Sequence, residues 1–290
     1  MKSELLAWRD SYEAEEKRLG IYKDTMSRSN PTDATRNPAV RWFEWAGGTD
    51  GGFVRYYDKA TEKQVSLGDA EKGGKFLFIL LDELATVKGW HDASESSIYA
   101  NEVRDTRQDI LVVKAFKGGE LASGLYANIK DRIVAVGGYF VSSCYIAFKD
   151  DEGKLQIGNI RFKGASLGAW MDFKKECPSK KDASGKNVKA FYVDAVKIEG
   201  FEQQKKGGTT FRIPKFALAP LSAETNAQAV ALDAELQAFL SDYLKRPRVE
   251  AAAAQAEAPQ EQPKGGSKFD DMVDDDPSAP EHRADAEIPF

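Results

Sequence analysis

The fold of this chain is decided by two aromatic stretches, Arg41-Trp42-Phe43-Glu44-Trp45 and Phe53-Val54-Arg55-Tyr56-Tyr57, which flank a glycine-rich segment at 47–52. Aromatic and β-branched residues favour strands, and clustered glycines between two such stretches favour a turn. We therefore predict a β-hairpin over 41–57, with a loop longer than the tightest turns.

Outward from this hairpin, strand-like and helix-like stretches alternate irregularly. Helices are predicted near the N-terminus, where Leu5, Trp8, Tyr12 and Leu19 keep helical spacing, and also at 165–175 and 222–245. Because no βαβ alternation is present, we predict one mixed, mainly β domain of the α+β class over 1–249. Further strands are predicted at 75–81, 84–89, 110–117, 133–148, 155–162, 191–199 and 209–214.

Charge is distributed unevenly along the chain. Residues 250–290 hold 11 acidic and 3 basic residues, a net charge of −8, whereas residues 1–249 hold 35 acidic and 38 basic residues, a net charge of +3. This split favours either a polyanion-binding body with a built-in competitor or an ordinary body with a solubilising tail. Segment 250–269, rich in Ala, Gln, Pro and Gly, is predicted to be a flexible linker before an acidic tail at 270–290.

The motifs tested for catalysis, phosphate binding and metal binding do not hold. Gly74-Lys75 lacks the following Ser or Thr of a phosphate-binding loop. His91 has no nucleophile elbow in the chain to accompany it, and neither His91 nor His282 has Cys or His at zinc-ligand spacing. Asp82-Glu83 and Asp150-Asp151 are interpreted as solvated turn residues. We therefore expect no catalytic residue, no metal and no cofactor.

Cysteine content and hydropathy bear on the compartment. The chain has two cysteines, Cys144 and Cys177, and no leader-like apolar N-terminus. No stretch approaches the roughly 18 apolar residues of a membrane span. These features predict a reduced, cytoplasmic protein without a membrane partner. Self-association to a homo-oligomer is left open by the sequence.

Aromatic residues interleaved with bases on the predicted strands form the remaining signal. Alternation along a strand places Trp42 and Glu44 on one face and Trp45 on the other, and it places Arg55 and Tyr57 together. Base stacking on aromatic rings contributes about 1–3 kcal/mol per base without reading sequence, while Lys and Arg neutralise phosphates. We predict a single-stranded DNA surface formed by Arg41, Trp42, Trp45, Arg55, Tyr56, Tyr57, Lys75, Phe76, Trp90, Lys114, Lys117, Arg161, Lys163, Lys180 and Lys181.

The end of the sequence carries a second signal. The acidic stretch 270–276 leads to Asp285, Glu287 and Ile288-Pro289-Phe290. This segment resembles the C-terminal tail of the single-stranded DNA-binding proteins of bacteria and their phages, in which an Asp-rich tip closes with Ile-Pro-Phe. Ala286 and Glu287 depart from the Asp that this family usually carries.

The resemblance implies a non-enzymatic, sequence-independent single-stranded DNA-binding protein of replication, recombination and repair, encoded by a phage. It implies an OB-like barrel with N-terminal and C-terminal helices, since the body is more similar to the larger phage versions than to the compact bacterial domain. The tail tip, formed by Asp285, Glu287, Ile288, Pro289 and Phe290, would dock on proteins of those processes. Two alternatives stay open: a metal-dependent nuclease or recombination enzyme with an acidic tail, and a phage interaction protein whose aromatic residues are all buried.

Overall fold

The computed structural model describes residues 37–67, 75–181 and 185–245. The helices in these ranges are α1 (Tyr126–Ala135), α2 (Gly164–Glu176) and α3 (Ala223–Lys245), with single 3₁₀ turns at Asp92–Ser94 and Ala190–Tyr192. The strands are β1 (Arg41–Ala46), β2 (Phe53–Asp58), β3 (Lys63–Leu67), β4 (Phe76–His91), β5 (Ser96–Ala100), β6 (Leu111–Ala115), β7 (Gly119–Gly124), β8 (Gly138–Lys149), β9 (Leu155–Phe162), β10 (Ser179–Lys181), β11 (Asn187–Lys189), β12 (Ala195–Lys206) and β13 (Thr209–Ala219).

The predicted hairpin is confirmed. β1 and β2 pair antiparallel with Glu44 opposite Arg55, β2 continues to β3, and β1 lies parallel to β9. The turn requires glycine at two places. Gly52 has a φ of 96°, and a Cβ on Gly51 would stand 2.1 Å from the carbonyl oxygen of Ala46. Glycine therefore lets β2 return beside β1, which sets the register of the hairpin.

β4 is one long strand that joins two parts of the sheet. It pairs with β8 along one edge, while its other edge pairs first with β12 and then with β5. The prediction of two strands separated by a solvated turn at Asp82-Glu83 is wrong. Asp82 accepts hydrogen bonds from Arg104, and Glu83 accepts them from Lys174. These partners from elsewhere in the chain allow acids inside a strand.

The inner face of the sheet holds the largest core. Ile146 and Phe148 of β8 pack there with Phe43 of β1, and Trp170 of α2 is fully buried against them. The same face continues past Val87 of β4 into a second core, which α1 covers. Because each buried large apolar side chain contributes about 1.5–3 kcal/mol, these two helices anchor the sheet on this side.

The outer face is covered only in part. Helix α3 places Leu236, Phe239, Leu240 and Tyr243 against Tyr145 of β8 and its neighbours Leu84 and Ile157. This is the apolar stripe that the sequence predicts for 222–245. Ala229, nearer the start of α3, packs with Ile79 and Ala147 on the same face.

The sheet stays open. Its strands follow the order β3-β2-β1-β9-β8-β4-β5-β6-β7, and the β12–β13 hairpin branches from β4. Among the described strands β13 pairs with β12 alone, although the backbone N–H of Arg212 donates to the carbonyl of Gly47 at 2.7 Å. The mainly β, α+β class is confirmed. The strands do not close into the barrel that the resemblance implies, because β1 occupies the edge of β9.

Other predicted elements agree with the structure to different degrees. The strand at 155–162 and the helices at 165–175 and 222–245 correspond to β9, α2 and α3. Strands β3, β5, β7, β10 and β11 and helix α1 are not predicted by the sequence. Helix α1 buries only Ile129 and Ile133, so its apolar pattern is too sparse to indicate a helix. The predicted N-terminal helix, the boundary at 249, the linker and the tail lie outside the described residues.

Both cysteines are free thiols in the interior. Cys144 and Cys177 are buried, and burial raises the pKa of Cys144 well above its ordinary value. In the described ranges, no helix combines the length and the apolar content that a membrane crossing requires.

Candidate functional site

Strand register brings several of the predicted residues onto one face. In the β1–β9 pair Trp42 lies opposite Asn159 and Glu44 opposite Arg161, and in the β1–β2 pair Glu44 lies opposite Arg55. Because opposed residues share a face, Trp42, Arg55 and Arg161 all project from the outer face. Tyr57 follows Arg55 at the same parity and is 37% exposed.

The same face continues across the other half of the sheet. Lys88 of β4 lies opposite Tyr139 on β8 and Tyr99 on β5, and Tyr99 lies opposite Lys114 on β6. Trp90 has the parity of Lys88 and is 37% exposed. We call this surface the basic-aromatic face; it comprises Trp42, Arg55, Tyr57, Lys88, Trp90, Tyr99, Lys114, Tyr139, Arg161 and Lys163.

Cations and aromatic rings are in direct contact on this face. The guanidinium of Arg161 lies over the Trp42 ring at 4.4 Å, and the Lys163 ammonium lies over the Tyr139 ring at 4.6 Å. Such contacts contribute about 0.5–1 kcal/mol at exposed sites and more where water is excluded. Arg55 donates from Nε to Glu44 at 2.6 Å. Arg161 and Lys163 are therefore held beside aromatic rings, whereas Arg55 is held by a carboxylate.

A buried polar chain underlies the centre of the face. Asn159 Nδ2 donates to Ser143 Oγ at 2.8 Å, and Ser143 Oγ donates to one carboxylate oxygen of Glu102. The Tyr145 hydroxyl donates to the other carboxylate oxygen at 2.7 Å. The backbone N–H of Glu102 donates to the hydroxyl of Tyr243 on α3. Glu102 is thus buried as a carboxylate whose two oxygens each accept a hydrogen bond from a neutral hydroxyl.

Burial shapes the electrostatics of this centre. Desolvation, together with the nearby charge of Arg161, lowers the pKa of Lys88 to about 7, and Glu102 opposes that shift. Desolvation also lowers the pKa of Arg161, again against Glu102. Burial and the Glu102 charge raise the pKa of Tyr145 well above its ordinary value. Two cations therefore share a poorly solvated site with one carboxylate.

Two buried polar atoms beside Trp42 have no hydrogen-bond partner. They are Nε of Arg161, a donor, and Oδ1 of Asn159, an acceptor. Both residues lie on β9, two positions apart, and so share the outer face. An unpaired buried polar atom costs about 1–3 kcal/mol, so its retention in a folded protein calls for a physical reason.

The structure separates the fifteen predicted residues of the body into groups. The basic-aromatic face holds Trp42, Arg55, Tyr57, Trp90, Lys114, Arg161 and Lys163. The prediction for Trp45, Tyr56 and Phe76 is corrected, because alternation turns them to the inner face, where they are buried in the main core. The Trp45 indole N–H is used inside the protein, since it donates to the carbonyl of Arg212 at 2.8 Å.

Strand register does not place the other predicted Lys and Arg residues on this face. Arg41 has the parity of Phe43 and pairs with Asp151 at 3.0 Å, so its placement on the binding surface is corrected. Lys180 and Lys181 lie on the small β10–β11 hairpin, where Lys180 pairs with Asp194. Lys75, before β4, and Lys117, in the β6–β7 turn, are exposed. The predicted tip residues Asp285, Glu287, Ile288, Pro289 and Phe290 lie outside the described residues.

Sequence reasoning missed three residues of the face: Lys88, Tyr99 and Tyr139. Lys88 and Trp90 repeat the base-x-aromatic spacing of Arg55 and Tyr57, so that signal was present in the sequence. Tyr139 carried no such signal, because its place depends on the β4–β8 register.

Within the described ranges, no three His, Cys, Asp or Glu side chains converge closely enough to hold a metal ion. Comparison of the chain with protein-family models, with curated proteins and with solved structures finds no match.

Proposed function

We propose that the protein binds single-stranded DNA without reading its sequence, through the basic-aromatic face. The observation that carries this proposal is the shared outer-face position of Trp42, Tyr57 and Trp90 with Arg55 and Arg161. Aromatic rings can stack unpaired bases of any identity, and adjacent guanidinium and ammonium groups can neutralise the backbone.

The strand connectivity supports an OB-like reading of the body. An OB-fold is a five-stranded, partly open Greek-key barrel whose strand 2 and 3 face binds oligonucleotides. The pairs β4–β8, β8–β9, β4–β12 and β12–β13 correspond to the pairs 1–2, 2–3, 1–4 and 4–5 of that barrel, with α2 between β9 and β12. On this assignment β8 and β9 are strands 2 and 3, and Tyr139 and Arg161 lie on them. β1 would replace the fifth strand as the neighbour of β9.

The proposed role of the acidic tail follows from its composition. Ile288, Pro289 and Phe290 would fill an apolar pocket on replication, recombination or repair proteins, while Asp285 and Glu287 pair with bases around it. With a net charge of −8 beside a body of +3, the tail would also compete with DNA for the body. Deletion of 270–290 is expected to tighten oligo(dT) binding at low salt, and unchanged or weaker binding would count against the competition.

The proposal is tested by titrating the full-length protein with oligo(dT) and following tryptophan fluorescence. Trp42 and Trp90 lie on the face, so stacking is expected to quench emission, and Trp42→Ala is expected to remove part of the quenching. Tyr192→Ala is the matched control, because Tyr192 is 57% exposed but lies outside the face. Absence of quenching, or equal affinity for duplex and single strands, would overturn the stacking account.

A further inference from the structure

We propose that Lys88 and Arg161 form a proton-coupled phosphate site, in which one phosphodiester group of a bound strand contacts both cations and a proton is taken up on the Lys88 amine. This inference rests on the proposed function, since it assigns the phosphate position and its linked proton within the basic-aromatic face. It adds to general electrostatic attraction a defined pair of residues and a pH-dependent step.

Lys88 and Arg161 have few anionic partners around them. Both oxygens of Glu102 accept hydrogen bonds from Ser143 and Tyr145. Glu44, the other nearby carboxylate, pairs with Arg55 at 2.6 Å. Among the ion pairs of the described residues none includes Lys88 or Arg161. Two cations in one poorly solvated site are costly unless an anion compensates them.

Arg161 also has a hydrogen-bond donor without a partner beside Trp42. Arg161 Nε is buried without an acceptor, and the central carbon of its guanidinium lies 4.4 Å from the centroid of the Trp42 ring. Guanidinium groups bind phosphate oxygens through well-oriented N–H donors. A phosphate at the guanidinium of Arg161 would supply the anion that the described ion pairs do not, and it would place the attached nucleotide beside Trp42.

The surroundings of Lys88 determine how easily its amine is protonated. The groups that face it are Tyr139 from β8, Tyr99 from β5, Arg161 from β9 and Glu102 from the segment after β5. Its pKa of about 7 leaves a fraction of the amine uncharged near neutral pH. A phosphate brought beside the amine favours the ammonium form and raises that pKa. The new N–H bond takes its proton from the buffer, so binding and protonation are linked.

The experiment is calorimetric titration of the full-length protein with oligo(dT) at about pH 7, in two buffers of different ionisation enthalpy. The apparent enthalpy is expected to differ between the buffers by the proton uptake. Lys88→Met is expected to abolish the uptake and to reduce the salt slope of binding by about 0.7, the contribution of one phosphate contact on a single strand. Lys88→Arg keeps a permanent charge, so it is expected to bind without uptake. Lys114→Met is the matched control, which loses a base of the same face but retains Lys88 and its uptake.

Inorganic phosphate separates the site from the nucleic acid. Phosphate is expected to raise the melting temperature of the wild type more than that of Lys88→Met, because it binds the folded site. If oligo(dT) binds without proton uptake, or if Lys88→Met retains the uptake, the site is wrong and the proposed function stands. A different outcome is that oligo(dT) does not bind, while phosphate stabilises the wild type and not Lys88→Met. The site then binds free phosphate, and the proposed function is wrong. Failure of both probes overturns both.

Discussion

The guanidinium of Arg161 lies over the indole ring of Trp42, with its central carbon 4.4 Å from the ring centroid. The two residues belong to β9 and β1, which pair in parallel as neighbours in the sheet. A cation beside an aromatic ring combines two functions that a single strand requires, since the ring can stack a base and the cation can meet its phosphate. This contact places a ring and a cation of the basic-aromatic face side by side.

Trp42 and Trp45 are expected to differ in what they do. Trp42→Ala should lower single-stranded DNA affinity by about 1–3 kcal/mol, because it removes a stacking platform from the outer face. Trp45→Ala should instead lower the free energy of unfolding by about 3–5 kcal/mol, because Trp45 is buried in the inner core. Oligo(dT) titration and urea denaturation of both variants check the contrast. An affinity loss without destabilisation in Trp45→Ala would contradict the assignment of faces.

Arg161 is expected to contribute to the salt dependence of binding. Arg161→Gln should reduce the slope of log affinity against log salt by about 0.7, the contribution of one phosphate contact on a single strand. Lys215→Gln is the control, because Lys215 is exposed on β13, away from the face. Titrations at several salt concentrations measure both slopes. An unchanged slope in Arg161→Gln would show that this residue makes no phosphate contact.

Lys88 is expected to make the free energy of unfolding depend on pH. Its pKa is about 7 in the fold against an ordinary value of 10.5, so between these values the unfolded chain binds more protons. The free energy of unfolding should therefore rise with pH between about 7 and 10.5. The stability that the neutral Lys88 amine allows above pH 10.5 is lost as the pH falls to about 7. Lys88→Met should remove this dependence and be the more stable protein at neutral pH. Urea unfolding of both proteins across the window gives the difference; parallel curves would contradict the lowered pKa.

Glu102 is expected to be structural, because it joins β8 to α3. Glu102→Ala should lower the free energy of unfolding by about 3 kcal/mol, because the hydroxyls of Ser143 and Tyr145 lose their acceptor inside the protein. Glu102→Gln should cost less, since the amide oxygen still accepts one hydrogen bond. Chemical denaturation compares the two variants. Equal stability of wild type and Glu102→Ala would show that water replaces the carboxylate.

The hairpin and its alternation could be predicted from the sequence because they depend on local pattern. The spacing of Arg55 and Tyr57 places these two on one face of their strand whatever it pairs with, whereas the position of Trp42 beside them depends on the β1–β2 register. The acids Asp82 and Glu83 could not be placed, because the residues that accommodate them, Arg104 and Lys174, are remote in sequence. Acidic residues in the middle of a strand favour the prediction of a turn when the side chains that pair with them are not known.

By itself, the sequence determined the mainly β class, the first hairpin, α2 and α3, and the acidic composition of the tail, all of which follow from local propensity and charge. Only the tertiary structure decided which aromatic residues belong to the core and which to the basic-aromatic face, and that Lys88 and Arg161 both lie on that face. The physical reason is register. A shift of one residue in any strand pairing would exchange Trp42 with Trp45, and long-range packing on the inner core selects between them.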